Sequence, residues 1–269
     1  MWYTDGLMTP GTQWLPALAV GGALGFFGGV FGIGGGIIAI PVLVLAYGMD
    51  QAHAQGTALV LMVPNLLIAW WRYQRITPAP MPRVLGIAAL GTLTTWFTAR
   101  FANALPPQHL RLMFCTFLAW VGWQMWRSQR AQAVAQAANA TPLPARYIPL
   151  VGVLGGSSMG LMGIGGGLVA TPVLTRWFGQ RQAVAQSLAL ALVAPSAVMA
   201  LSTYAQAQRV DWHMGLPMAL AGTVTVSAGV ALATRLPEQR LRSHFALMLM
   251  ATSVWMLVWP WLRAATMGA

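Results

Sequence analysis

Gly32-Ile33-Gly34-Gly35-Gly36, followed by Pro41-Val42-Leu43, and Gly163-Ile164-Gly165-Gly166-Gly167, followed by Pro172-Val173-Leu174, decide how this chain folds. The two stretches lie 131 positions apart, and each is set inside apolar sequence. A glycine in a helix interior costs roughly 1 kcal/mol relative to alanine. Three in succession therefore mark a break between two apolar helices, not the middle of one. The shared register extends outward from both motifs. Gly25, Gly29, Gly48, Gln51, Gln55, Pro64 and Gly91 have counterparts at Gly156, Gly160, Gly179, Gln182, Gln186, Pro195 and Gly222, without a gap. Leu105-Pro106, Gln108, Leu110, Arg111 and Phe114 likewise match Leu236-Pro237, Gln239, Leu241, Arg242 and Phe245. Chance does not place so many Gly, Pro and Gln residues in one register, so the unit is duplicated.

Composition sets the class. Of 269 residues, 57% are hydrophobic and 7% charged, with mean hydropathy +0.63. Soluble proteins carry about 25% charged residues, so this is a polytopic membrane protein in contact with the lipid bilayer. The net charge of +11 comes from arginines placed between apolar segments. That pattern follows the positive-inside rule and argues against a nucleic-acid partner. One cysteine, Cys115, excludes an intramolecular disulfide and speaks against a thiolate metal centre.

Apolar segments fall near 14–31, 33–48, 54–71, 84–101 and 109–126, then near 147–162, 164–178, 184–205, 213–233 and 243–262. The third to fifth of each half can span a core of ~30 Å, whereas the segment after each Gly motif covers about half of it. If the two segments flanking each motif go in and come back, Arg72, Arg75, Arg83, Arg127, Arg130, Arg146, Arg176, Arg181, Arg235, Arg240 and Arg242 share one side, 11 of 15. If they form one span, the split is 8 to 7. The bias therefore predicts an all-α polytopic protein of two inverted-topology repeats, each with a Gly-broken helix pair plus three transmembrane helices. Repeat 1 covers 12–126, a cytoplasmic connector 127–146 and repeat 2 147–263, with both termini outside. Trp70, Trp71, Trp126, Trp177, Trp212, Trp259 and Trp261 near segment ends read as interfacial anchors.

Non-helical backbone at membrane depth is tolerated only where protein or a water-filled cavity surrounds it. Half-helix N-termini there aim free N–H groups and a positive dipole at an anion. Gly34, Gly35 and Gly36, with Gly165, Gly166 and Gly167, are accordingly the candidate anion-binding groups. Gly25, Gly29, Gly156 and Gly160, at spacing of four, read as helix-packing positions. Gln55 and Gln186 either supply amide donors or sit at the interface. Asn65 and Ser196, each just after a mid-segment proline, either line the site or bond their own helix. Arg111 and Arg242 either form vestibules or snorkel. His53, His109, His213 and His244 show no metal spacing and no carboxylate partner nearby in sequence. No acid lies mid-span, so the carboxylate relay of proton pumps is missing. Neither an acid–base pair for catalysis nor a cofactor motif is apparent, so the chain does not read as an enzyme.

These residues resemble the sulfite exporter TauE/SafE family of bacterial membrane permeases, over about residues 14 to 262. The resemblance implies a transporter of sulfite, sulfonates or related small anions in the bacterial cytoplasmic (inner) membrane, acting as an exporter. The family's Ala-x-Gly-Thr-Ser element stands here as Ala54-Gln55-Gly56-Thr57-Ala58, and the second copy has drifted to Ala185-Gln186-Ser187-Leu188-Ala189. It implies hydroxyls near the substrate at Thr57 and Ser187. Small carboxylates are an alternative cargo. A non-transporting membrane scaffold or accessory subunit is the rival class, and a homo-oligomer is compatible with either.

Overall fold

The computed structural model describes residues 14–31, 35–131, 143–164, 166–233 and 238–267, and side chains within them except in short stretches of α1, α5, α9 and α10. Among these residues the chain is helical, with ten α-helices: α1 Trp14–Phe31, α2 Gly36–Ala46, α3 Gln51–Ile76, α4 Met81–Ala104, α5 Pro107–Ala131, α6 Ile148–Met162, α7 Gly167–Arg176, α8 Gln182–Gln206, α9 Trp212–Ala233 and α10 Glu238–Met267. Ten apolar segments have become ten helices. The connector expected at 127–146 lies largely outside the described residues, though α5 runs on to Ala131 and a 3-10 turn covers Ala145–Tyr147. By length and hydropathy α3, α4, α8 and α9 are long and apolar enough to cross a membrane.

The chain reverses at each Gly motif. On a continuous helix, Gly35 would lie about 16 Å beyond Leu24 at 1.5 Å per residue. Instead a Cβ on Gly35 would sit 3.1 Å from the Leu24 carbonyl oxygen. The second motif repeats this, with Gly166 against the Gly155 backbone. Gly35 has φ +81°, in the left-handed region that favours glycine. Gly163 closes α6 with φ +63°. So α1–α2 and α6–α7 are hairpins, and α2 and α7, at 11 and 10 residues, are half-length helices.

Each half lends its first helix to the other. α1 packs along α9, and α6 along α4, through small-residue stripes. Gly21, Gly25 and Gly29 face Met218, Gly222 and Val226 in order. Gly152, Gly156 and Gly160 face Ile87, Gly91 and Thr95 in the same way. Both pairs therefore run parallel. The approach is backbone to backbone: a Cβ on Gly152 would be 2.6 Å from the Ile87 carbonyl oxygen, and one on Gly160 would be 2.7 Å from that of Thr95. Thr225 Oγ1 donates to Gly22 O at 2.7 Å, and Thr95 Oγ1 to Gly156 O at 3.0 Å, across the two seams. The packing role expected for Gly25, Gly29, Gly156 and Gly160 is what they have.

α3 and α8 form the centre. Gln55 near the start of α3 meets Tyr204 near the end of α8, and Ser187 near the start of α8 meets Gln74 near the end of α3. The pair is therefore antiparallel. So are α5 and α10, where Ser253 Oγ donates to Cys115 O at 2.8 Å and Arg111 reaches the Met256 carbonyl. Pro260 has no N–H to offer that carbonyl four residues back, so Arg111 satisfies it, a role neither sequence reading foresaw. About two thirds of the apolar window of α3 and α8 is buried (67% each), against 28% in α4 and 33% in α9. The outer helices turn Leu85, Leu93, Phe97, Phe101, Leu220 and Val224 outward, as a lipid-facing surface would. Arg75 lies 3.8 Å from the Trp71 ring and Arg100 4.1 Å from that of Trp96, both close to the ends of their helices.

Candidate anion-binding site

Both half-helices begin against the central pair. A Cβ on Gly36 would meet the Met62 side chain (2.8 Å to Cε), and one on Gly167 would come 3.7 Å from Val193 Cγ2. Met62 and Val193 are repeat counterparts, each two residues before a helix proline (Pro64, Pro195). The first helical bonds are Ile38 N–H to Gly35 O and Val169 N–H to Gly166 O. The N–H groups of Gly36, Ile37, Gly167 and Leu168 thus precede both hydrogen-bond ladders. Ile37 beside the first motif, and Met162 and Ile164 at the second, share one buried apolar cluster with Ala54, Ala58 and Leu61 of α3. Gly34 and Gly165 lie outside the described residues.

Gln55 links the halves. It belongs to the first repeat, yet a Cβ on Gly163 would sit 3.1 Å from its Cβ and 3.3 Å from its Cγ. It is fully buried (0% exposed). Its Oε1 accepts from the Tyr204 hydroxyl at 2.7 Å, and its Nε2 has no partner among the described residues. The same hydroxyl lies 3.1 Å from Gly160 O. A buried amide donor left unpaired costs about 1–3 kcal/mol. Such a group, set against Gly163 where the second Gly motif begins, is suited to a bound acceptor.

Of the other candidates, Thr57, Ser187 and Gln186 are engaged within the protein. Thr57 Oγ1 accepts from Asp211 N–H at 3.0 Å. Ser187 Oγ donates to Gln74 Oε1 at 3.2 Å. Gln186 Oε1 accepts from Thr171 at 3.5 Å within its own half. Asn65 Nδ2 donates to Leu61 O at 3.3 Å on its own helix, leaving Oδ1 unpaired among the described residues. Ser196 Oγ is buried and unpaired in the same sense, toward Gly91 of α4. An open hollow of about 630 Å³ between α4 and α8, lined by Leu85, Thr92, Trp96 and Met199 among others, is almost wholly apolar and lies away from both motifs.

Sequence reasoning missed Tyr204, although Tyr73 sits 131 positions before it and would have flagged the pair. It also missed the ion cluster at the start of α3. Asp50 caps that helix through His53 N–H at 3.0 Å. Its Oδ2 lies 2.7 Å from His53 Nδ1 and 3.3 Å from Arg209 Nη1. His53 therefore does have a nearby carboxylate, correcting the expectation that none of the histidines would. Burial opposes ionisation of Asp50, but the His53 N–H and ring and the Arg209 guanidinium outweigh it and hold the carboxyl below its ordinary range. A depressed folded value stabilises above the unfolded pKa of about 3.9 and loses that stabilisation as pH falls through the folded value. The melting difference between the unmodified protein and Asp50→Asn should therefore be present at about pH 5 and collapse as the pH falls below about 4. A difference unchanged down to pH 3 would contradict the cluster.

The Gly motifs also divide by space. Gly166→Ala would press its Cβ on the Gly155 backbone (2.7 Å to Cα), at a cost of about 1–3 kcal/mol. Gly167→Ala has room and should be neutral or stabilise by up to about 1 kcal/mol. Detergent melting curves separate the two, and equal effects would argue against the close α6–α7 approach.

The family model for the sulfite exporter TauE/SafE matches residues 17–256, which takes in both hairpins and both central helices. The chain belongs to the TauE/SafE family. It is 28% identical over 256 residues to a probable membrane transporter protein of Xylella fastidiosa, covering 90% of this chain and 94% of that one. A probable membrane transporter protein of Haemophilus influenzae is 25% identical, covering 89% and 96%. One of Methanocaldococcus jannaschii is 24% identical, covering 87% and 91%. No solved structure matches. Membership makes this a membrane transporter, in keeping with its apolar helices.

Proposed function

We infer that this TauE/SafE protein carries a small sulfur oxyanion, sulfite or a sulfonate, out across the bacterial cytoplasmic membrane. The anion is held between the N-termini of α2 and α7 with the Gln55 amide as an added donor. The observation that carries this is the Gln55 side chain, fully buried at the second Gly motif with its Nε2 unpaired among the described residues. Backbone N–H groups and an amide bind an anion without a buried fixed cation. The reading includes inverted repeats at 12–126 and 147–263 with both termini outside. The antiparallel course of the repeat-related pairs α3/α8 and α5/α10 supports inversion, because helices related by an axis normal to the membrane would run parallel. A negative-inside potential favours exit of an anion by ~2.3 kcal/mol per charge per 100 mV, so export needs no coupled proton.

A melting screen of the purified protein against sulfite, sulfate, thiosulfate, sulfonates and small carboxylates tests the reading. A ligand at 100 times its Kd adds about 2.7 kcal/mol. Stabilisation by carboxylates alone would move the cargo to that class, and stabilisation by none would favour the scaffold. Sulfite efflux from loaded vesicles should fall when the potential is collapsed. Unchanged efflux would remove the potential as driving force.

A further inference from the structure

The two ends of the α3/α8 pair are fastened unequally, although the sequence supplies each with a glutamine, a tyrosine and a glycine in register. At one end Tyr204 bonds Gln55 at 2.7 Å and lies 3.1 Å from Gly160 O. The α8–α9 loop closes over the same turn of α3. There Asp211 N–H bonds Thr57, Arg209 pairs with Asp50, and the Arg209 carbonyl lies against Gly56. Tyr204 is fully buried there. At the other end the repeat counterparts of Gln55, Tyr204 and Gly160 are Gln186, Tyr73 and Gly29. They are all present, but not joined. Tyr73 is 37% exposed, Gln186 bonds Thr171 of its own half, and the Ser187–Gln74 bond is what ties α3 to α8 near that end.

We propose that Gln55–Tyr204–Gly160 and Gln186–Tyr73–Gly29 are two alternative latches, one for each entrance of the transport path. The first is closed in this structure and the second open. In the opposite state Tyr73 swings onto Gln186 and the Gly29 carbonyl while Tyr204 lets go. Each latch joins one half's central helix to the other half, so closing one end levers the halves apart at the other. Opening the first latch also frees the Gln55 amide at the second Gly motif, which ties release of the cargo to the change of facing. With the arginine-rich loops inside, the unlatched end is the one that faces the cytoplasm. The proposal rests on the transport reading.

Cysteine pairs report the two ends in a Cys115→Ala background. His53→Cys with Arg209→Cys spans the closed end, where the two side chains approach to 3.5 Å. Val184→Cys with Pro78→Cys is its repeat counterpart. A short bismaleimide, read by intact mass, should link 53/209 well and 184/78 poorly. Tyr204→Phe deletes one hydroxyl, so a bond of about 1 kcal/mol shifts the ratio of the two yields roughly fivefold toward 184/78. Gln55→Met removes the same bond from its other side and must shift the ratio in the same direction. Equal linking of both pairs before mutation, or a ratio unmoved by both variants in monodisperse protein, overturns the latch. Sulfite flux is measured on the cysteine-pair proteins with Gln55 intact, with and without Tyr204→Phe. Ratios that move without any flux would sink the transport reading and spare the latch. Intact flux with fixed ratios would sink the latch alone.

Discussion

Gln55→Leu should weaken sulfite binding by about 10- to 100-fold while the protein stays folded. The fold-change follows from losing one hydrogen bond to a charged ligand, about 1.5–3 kcal/mol, at 1.4 kcal/mol per tenfold. Leucine keeps the Cβ and Cγ that lie against Gly163. Tyr204 keeps the Gly160 carbonyl as its acceptor. The structural cost should therefore stay near that of one neutral hydrogen bond, about 1 kcal/mol. Gln186→Leu is the control, because that side chain is partly exposed and engaged with Thr171. The measurement is a sulfite titration by melting shift or calorimetry on both variants. Unaltered affinity in Gln55→Leu would show that the buried amide is a structural spacer, and the anion site would have to be sought elsewhere.

Combining Gly25→Ala with Gly156→Ala should cost at least about 2–6 kcal/mol of stability in detergent. Each methyl group would drive into backbone, of Gly222 in one seam and of Gly91 in the other. Neither target is a flexible side chain that can step aside, so each substitution costs at least the 1–3 kcal/mol of an overpacked core. The seams involve different helix pairs, and their costs should add. Against a total stability of about 5–15 kcal/mol, the double variant should melt well below the unmodified protein and below either single variant. Gly22→Ala is one helical turn from Gly25 but meets only Thr225 Cγ2 at 3.6 Å and Ala221 Cβ at 3.9 Å, so it should be silent. A double variant that melts with the unmodified protein would mean that α1 and α9 do not approach through glycine backbone.

Much of this was legible because it is written in periods. Glycines every four residues announce a close helix approach whatever the partner, and those at Gly25, Gly29, Gly156 and Gly160 announced it correctly. A register of 131 residues announces duplication, and the contacts respect it, with α1 on α9 mirrored by α6 on α4. The partners themselves were not legible. Nothing in a repeat says that the first helix of one half crosses to the other. Thr57 shows the same limit at the site. Its hydroxyl is taken by the backbone N–H of Asp211, 154 positions away, and a backbone donor leaves no mark on residue type. Gln55 and Tyr204 are separated by 149 positions, so only the matching Tyr73 could have hinted at their meeting. The Asp50–His53 contact is different. Three residues apart beside a helix start, it follows the ordinary N-cap pattern and was open to sequence reasoning.

The crossing-over of the first helices bears on ancestry and assembly. A five-helix half made by itself would expose the glycine stripe of its α1 or α6 and leave its α4 or α9 without a companion. It could complete neither seam except by trading first helices with a second copy. An unfused ancestor would therefore have been an obligate dimer whose chains exchanged first helices. Joining two copies end to end removes the need for them to find each other. It also frees the two halves to diverge, as Asp50 and Arg209 against Arg181 and Pro78 already have.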